Sequence, residues 1–351
     1  MSMGDFPPFR PRPPWLSGDL QTVRNFVCGP VLDLAAHPSK RLALPMRDGS
    51  GDRLLGDLSE PDMPPPSSPL VVLIHGLGGC AESAYMLATA RHFLDLGYRV
   101  LRLNLRGTVP TRAICRGHYH AGRSQDFHDA IAALPAPLVR DGVFAIGFSL
   151  GGNMLLKYLA EQGADGPVRA AATVSAPINL EASSRRIGMP RNRVYHDWLL
   201  RHMKKEALGP GSPLEAELCA AIRRARTIYE YDECFVAPRH GFASAQDYYQ
   251  RCSGVRFMPE IKVPTLLIHA LDDPWIPGES YTAFAWRDHP DLVPLLPRWG
   301  GHVGFHGADS RIPWHDRCTA LFFSRWRDGG RPRAKAAPKA ENRVLREAIS
   351  R

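Results

Sequence analysis

The stretch Val143-Phe-Ala-Ile-Gly-Phe-Ser-Leu-Gly-Gly152 decides how this chain is read. An apolar run of the buried-strand type leads into Gly147-Phe148-Ser149-Leu150-Gly151, and residues 150–161 continue with helical spacing to a stop at Gly163. Gly-x-Ser-x-Gly alone is weak evidence, because both residue types are common. Between a strand and a helix it is the pattern of a nucleophile on a sharp turn. The glycines have a physical reason, since side chains there would collide with neighbouring backbone. Such a turn lifts the Ser149 hydroxyl out of the sheet. It also aims backbone N–H groups at a helix N-terminus toward a reacting carbonyl. A glycine-rich turn with a structural role only is the competing reading.

Outward from this turn, strand and helix patterns alternate. Residues 70–75 form a continuous apolar run closed by Gly76-Leu77-Gly78-Gly79, and residues 84–96 have helical spacing up to Gly97. A strand is expected at 98–105 and a helix at 126–134, with 170–175 and 265–269 completing the short buried strands. This β-α-β-α rhythm predicts an α/β fold, a mostly parallel sheet with helices on both faces. Upstream, two apolar runs flank Asp48-Gly49-Ser50-Gly51, a hairpin pattern, and the proline-rich stretches 6–15 and 61–69 read as extended chain and loop. Between the last two strands the rhythm breaks. Residues 177–259 are charged and helical in character (195–207, 214–226, 244–252). The expected organisation is therefore a core in two parts, 1–176 and 260–327, a helical lid insertion at 177–259, and a basic tail at 328–351.

A serine hydroxyl needs a base to take its proton. Of 14 histidines, His302 in Gly300-Gly301-His302-Val303-Gly304 is the best candidate, because flanking glycines suit a loop that places an imidazole over the turn. His306 is its main competitor. His75 and His269 close buried strands and read as satisfied core residues or as residues that support the site from behind. The base in turn needs an orienting carboxylate. The strand ending in His269-Ala-Leu-Asp272-Asp273-Pro274 brings two to the C-terminal edge of the sheet, where such sites lie. Asp273 is favoured over Asp272, which would cap the turn, because Pro274 holds the residue before it extended. Ser…Asp…His is the chain order of α/β-hydrolases. Oxyanion donors are expected from the backbone N–H of Leu150 and of Leu77. The His75-Gly-Leu-Gly-Gly79 stretch lacks the Lys-Ser/Thr of a P-loop and the spacing of a dinucleotide fingerprint. His118, His120, His302 and His306 have no carboxylate or thiolate nearby to complete a tetrahedral set, so no metal and no cofactor is expected.

Composition narrows the class further. The 351 residues are 44% hydrophobic and 23% charged, within the globular range. No window approaches the roughly 18 apolar residues of a membrane helix, and prolines stand where a signal peptide would be apolar. Seven scattered cysteines without a Cys-x-x-Cys pair read as reduced thiols, hence a cytoplasmic setting. Of the net charge of +9, +4 sits in residues 328–351, where no aromatic side chains interleave with Lys and Arg. A solvated tail is favoured there over nucleic-acid binding.

The assembled motifs resemble the YheT-like branch of the α/β-hydrolase superfamily, related to abhydrolase-domain lipases and medium-chain ester synthase/esterases. The resemblance rests on Trp15-Leu-Ser-Gly-Asp-Leu-Gln-Thr22, His75-Gly-Leu-Gly-Gly79, Asn104-Leu-Arg-Gly107 and Tyr119-His-Ala-Gly122. It continues in Gly147-Phe-Ser-Leu-Gly-Gly-Asn153, Val174-Ser-Ala-Pro177, the tyrosine-rich stretch 229–249, His269-Ala-Leu-Asp-Asp-Pro274 and Gly300-Gly-His-Val-Gly-Phe305. It implies an α/β-hydrolase fold, a lid between the sixth and seventh strands, and a triad falling on Ser149, Asp273 and His302. It also implies ester chemistry on short or medium acyl chains. Membrane-anchored relatives carry an N-terminal transmembrane helix that this chain lacks, so a soluble or interfacial ester is expected, with peripheral membrane contact left open. Where the family has Asn before the His-Leu-Gln of its N-terminal motif, this chain has Gly18-Asp19.

The expected activity is serine carboxylic-ester hydrolysis. An acyltransferase using the same acyl-enzyme and a non-catalytic binding protein on this fold are the alternatives. Tyr195, Trp198, Leu199, Leu200, Tyr229, Phe235 and Phe242 are candidate walls of an acyl pocket. Fold class names neither the substrate nor the oligomeric state.

Overall fold

A computed structural model describes residues 5–28, 34–63, 65, 67–210 and 214–327. The basic tail therefore lies outside the described residues. In chain order the main elements are helix α1 (Gly18–Val27), strands β1 (Ser39–Pro45), β2 (Arg53–Ser59) and β3 (Leu70–Ile74), helix α2 (Ala84–Asp95), β4 (Val100–Asn104) and α3 (Ser124–Ala132). Then come β5 (Val143–Phe148), α4 (Leu150–Gln162), β6 (Val168–Val174), α5 (Leu180–Ile187), α6 (Arg193–Ala207), α7 (Ala216–Arg224), α8 (Ala245–Cys252), β7 (Thr265–Ile268), β8 (Leu292–Leu295) and α9 (Trp314–Ser324).

The eight strands form one sheet in the order β1-β2-β4-β3-β5-β6-β7-β8. The β1–β2 and β2–β4 pairings are antiparallel and the rest parallel. The apolar runs are continuous because both faces are covered. In β3, Leu70, Val72 and Ile74 pack into one core with α3, α4 and the helices after β6. Val71 and Leu73, turned the other way by the strand's two-residue period, join Phe93 of α2 and Phe322 and Phe323 of α9. The hairpin expected around Asp48–Gly51 joins β1 to β2.

Three elements carry little signal in the sequence. Strand β8 follows the two strands expected to complete the sheet; only four residues long, it includes Pro294, a residue that demotes a strand reading. Helix α9 buries His315, Asp316 and Thr319 among Trp314, Cys318, Phe322 and Phe323, so its apolar period is weak. Helix α1 is short, capped by Ser17, whose side chain accepts the Leu20 N–H at 3.3 Å.

Between β6 and β7 the described residues hold helices and no strand. Asn153 of α4 anchors this segment to the core. Its side-chain amide donates to the Cys252 and Ala121 carbonyls at 2.8 and 3.0 Å and accepts the Gly254 N–H at 2.7 Å. Arg106 in the Asn104–Gly107 motif is buried and bonded to Asp52 and Asp126 at 2.7 Å each. It thereby ties the hairpin turn to α3.

Candidate active site

Ser149 stands between β5 and α4 with φ 49° and ψ −123°, a conformation that non-glycine residues rarely adopt. Its N–H donates to the Val174 carbonyl at 2.8 Å. The surrounding glycines are sterically required. A Cβ on Gly147 would lie 2.6 Å from the Gly151 carbonyl oxygen, and one on Gly151 would lie 2.5 Å from that of His75. The sharp turn can exist only because α4 starts flush against the ends of β3 and β5.

His302 and Asp273 converge on this serine from loops further along the sheet. The imidazole Nε2 is 3.0 Å from Ser149 Oγ, and Nδ1 is 2.9 Å from Asp273 Oδ2. Asp273 also accepts the Trp275 and Ile276 N–H groups on Oδ1 at 2.8 and 3.1 Å. Burial pushes its carboxyl up, but the charge and hydrogen bond of His302, with His269 and the Trp275 amide, outweigh this and hold it low. The His302 ring stacks on Trp275 at 4.3 Å.

Asp272 corrects one expectation. It does not cap its own turn; its Oδ1 accepts the Gly301 N–H at 2.9 Å and so holds the loop that carries His302. The turn is instead capped by Asp273, which faces both ways. His306 points elsewhere, with Nε2 2.8 Å from Asn25 Oδ1 and Nδ1 3.0 Å from an Arg24 nitrogen. Burial, with Arg24 and Arg12, pushes it down to about 3.

The candidate oxyanion donors lie in a tightly bonded loop and at the start of α4. The N–H groups on either side of Leu77 are occupied: Gly76 donates to the Tyr85 hydroxyl at 3.0 Å and Gly78 to the Tyr119 hydroxyl at 2.8 Å. Among the described residues neither Leu77 N–H nor Leu150 N–H has a protein acceptor. Gly76 packs so close to the serine that a Cβ there would sit 2.9 Å from Ser149 Cβ.

Helix α1 joins the site in a way that its motif does not announce. Thr22 Oγ1 accepts the His302 N–H at 2.8 Å, Gln21 Oε1 accepts the His306 N–H at 2.7 Å, and Asn25 donates to the Val303 carbonyl at 2.9 Å. A Cβ on Gly18 would fall 2.0 Å from the Asp272 carbonyl oxygen, so glycine is the residue that fits there. Asp19 bonds Arg191 at 2.9 Å and the Tyr195 hydroxyl at 3.1 Å, tying α1 to the helices after β6. Those contacts give Gly18-Asp19 a structural reason. The available sequence signal is Ser17 ahead of an acidic first turn.

His75 is a satisfied core residue, with Nε2 accepting the Leu105 N–H and Nδ1 donating to the Gly76 carbonyl. His269 is buried behind the site, with Nδ1 4.0 Å from Asp273 Oδ2; its ring stacks on Tyr281 at 4.1 Å, and neither nitrogen has a hydrogen-bond partner among the described residues. Among the described residues no group of His, Cys, Asp and Glu is arranged to hold a metal ion.

Comparison with known proteins places the chain in a family. Residues 69–306 match the family described as alpha/beta hydrolase fold. The putative esterase YheT of Escherichia coli (strain K12) is 34% identical over 265 residues, covering 70% of this chain and 75% of its own. This chain belongs to the α/β-hydrolase family.

The hydrolase is also similar to enzymes of the esterase and lipase type. Phospholipase ABHD3 of Mus musculus is 27% identical over 255 residues, 72% of this chain and 61% of its own. Medium-chain fatty acid ethyl ester synthase/esterase 2 of Saccharomyces cerevisiae (strain ATCC 204508 / S288c) is 26% identical over 308 residues, 78% and 65% respectively. The solved Pyrococcus furiosus esterase Pf2001 superposes with a TM-score of 0.57 at 19% identity, over 83% of this chain and 92% of its own, a likeness of fold.

Above Ser149 the hydrolase has a cavity of about 430 Å³, a size suited to a small molecule. Trp198, Leu199 and Phe235 line it; of the other expected walls, Tyr195, Leu200, Tyr229 and Phe242 do not. Tyr195 is turned to Trp275 and Asp19, and Tyr229 is exposed. Helix α6 presents Trp198, Leu199, His202, Met203 and Glu206 to the cavity, one face at helical spacing. A search for apolar residues alone cannot find its two polar members. Burial raises the carboxyls of Glu206 and Asp232 to about 7. No described helix is long and apolar enough to cross a membrane.

Proposed function

We propose that this protein is a serine carboxylic-ester hydrolase acting on short- or medium-chain acyl esters. The observation that carries the reading is the unbroken chain Asp273–His302–Ser149, at 2.9 and 3.0 Å, opening on a largely apolar cavity. Ser149 Oγ attacks the ester carbonyl carbon while His302 Nε2 takes its proton. Asp273 holds Nδ1–H and stabilises the imidazolium. The oxyanion receives the Leu77 and Leu150 N–H groups. When the tetrahedral species collapses, the bond to the alcohol oxygen breaks and His302 protonates the departing alkoxide. Water then attacks the acyl-serine, gives its proton to His302, and the acid leaves as Ser149 regains its hydrogen.

Residues 177–259 serve as the lid in this reading, because α6 roofs the cavity over the nucleophile. Seven free thiols suit a reducing, cytoplasmic setting. The same acyl-enzyme passed to an alcohol would make an ester, as the name of the yeast relative describes for that protein.

The test is hydrolysis of chromogenic esters from acetate to dodecanoate by wild type and Ser149→Ala. Loss of at least about 10³-fold in kcat with an unchanged melting temperature is expected. Undiminished turnover in the variant would refute the reading. Adding ethanol and measuring ethyl ester against free acid separates synthesis from hydrolysis.

A further inference from the structure

Tyr119 and Glu206 line the same cavity as Ser149 but take no part in the steps above. Tyr119 is buried in the loop between β4 and α3, and its N–H donates to the Arg106 carbonyl at 2.9 Å. Its hydroxyl oxygen accepts the Gly78 N–H at 2.8 Å, and its hydroxyl hydrogen goes to Glu206 Oε2 at 2.9 Å. Glu206 comes from α6, on the face that lines the cavity. Gly78 has φ +67°, and a Cβ there would meet His202 of the same helix at 3.7 Å.

The consequence is geometric. Leu77 is bracketed by two amides, each held by a tyrosine hydroxyl: Gly76 by Tyr85 and Gly78 by Tyr119. With both neighbours pinned, the Leu77 peptide cannot rotate without straining a part-buried hydrogen bond on either side. Tyr85 belongs to α2, part of the core. Tyr119 is different, because its hydroxyl is oriented by a carboxyl carried on the segment between β6 and β7. Donation to Glu206 leaves the Tyr119 oxygen lone pairs for Gly78.

We propose that Tyr119 and Glu206 are positioning residues, a relay by which helix α6 holds the Leu77 N–H at the place where the oxyanion forms. The proposal rests on the esterase reading above and adds to it a dependence of the oxyanion donor on the seating of α6. A lid helix that moved away would take Glu206 with it and slacken the donor, so the site is complete only when α6 is in place.

The experiment measures kcat and KM on p-nitrophenyl octanoate for wild type, Tyr119→Phe, Glu206→Leu, Glu206→Gln and the double variant Y119F/E206L. Each protein is also titrated with a trifluoromethyl ketone, whose serine adduct carries an oxyanion, and with octanoate, which does not form one. Y119F should lose about 10- to 100-fold in kcat with KM within about threefold of wild type, and the ketone should weaken by the same factor while octanoate is unaffected. E206L should match Y119F. E206Q should recover most of the loss, because an amide oxygen still accepts from Tyr119. The double variant should be no worse than either single one, since both break one chain.

Retention of kcat within twofold by Y119F overturns the proposal, as does a parallel loss of octanoate and ketone binding, which marks a packing role. Multiplicative losses in Y119F/E206L overturn it too. If Y119F melts too early to assay, the comparison of E206L with E206Q decides alone, and equal activity of those two is the overturning result. Failure of wild type to cleave any ester would sink the esterase reading itself; cleavage by wild type with an indifferent Y119F sinks only the relay.

Discussion

At the scale of the residue, the site is governed by what cannot be placed there. Ser149 sits at positive φ because Gly147, Gly151 and Gly152 let a strand end and a helix start within van der Waals contact. Adding one methyl group at Gly151 would press on the carbonyl oxygens of His75 and Ile74, 2.5 and 2.6 Å away, which are backbone atoms with no rotamer to yield. Gly151→Ala should therefore cost about 1–3 kcal/mol, read as a lower denaturation midpoint at unchanged slope. A midpoint equal to wild type would show that α4 can shift away from β3. These glycines are legible in the sequence because steric exclusion is local. The choice between Asp272 and Asp273 is argued from Pro274, and the structure brings Asp273 to His302. The work of Asp272 on the Gly301 amide is not legible, since it spans 29 positions of chain.

At the scale of the element, α1 shows how a helix remote in sequence shapes the site. It touches the His302 loop at three points through Gln21, Thr22 and Asn25, and of these Thr22 bonds His302 itself. Thr22→Val keeps the shape and removes the acceptor of the His302 N–H. We expect kcat to fall about 10-fold with KM little changed, because a small misplacement of the base costs orientation and not binding. Steady-state kinetics on the same ester series checks this, and an unchanged kcat would show that Asp272, Gln21 and Asn25 hold the loop without Thr22. Helix α6 teaches the complementary lesson. Its period is plainly helical in the sequence, but which face turns inward depends on the sheet below it. For that reason Trp198 and Leu199 line the cavity while Tyr195 and Leu200 do not.

At the scale of the whole molecule, two sets of buried groups oppose each other across pH. His75 and His269 are pushed down to about 4 by burial, and His118, His240, His306 and His315 to about 3. For these the unfolded chain binds protons that the folded one refuses, so stability is lost as pH falls from 6.5 toward those values. Glu206, Asp232 and Asp316 are raised to about 7 by burial; there the folded state holds the proton, and stability is lost as pH rises through 7. Below pH 6.5 the six histidines outweigh the three carboxyls, and Asp273, held low, acts in the same direction as the histidines. The melting temperature should therefore fall steadily from pH 6.5 to 4.5. A thermal scan across that range tests it, and a flat or rising profile would contradict the burial of these rings.

By itself the sequence determined the apolar runs of the buried strands, the glycine turn around Ser149 and the order in which Ser149, Asp273 and His302 are met. Each of those follows from interactions within a few residues of chain, where sterics and hydrophobic period act directly. Only the tertiary structure decided that α1 seats His302, that Glu206 reaches the Leu77 loop through Tyr119, and that Asp272 serves a loop on another strand. These bonds join groups far apart in the chain, and their partners are chosen by how helices settle on the two faces of the sheet. A polar residue in a helix carries no local mark of the amide it will meet; burial beside that amide gives it its role.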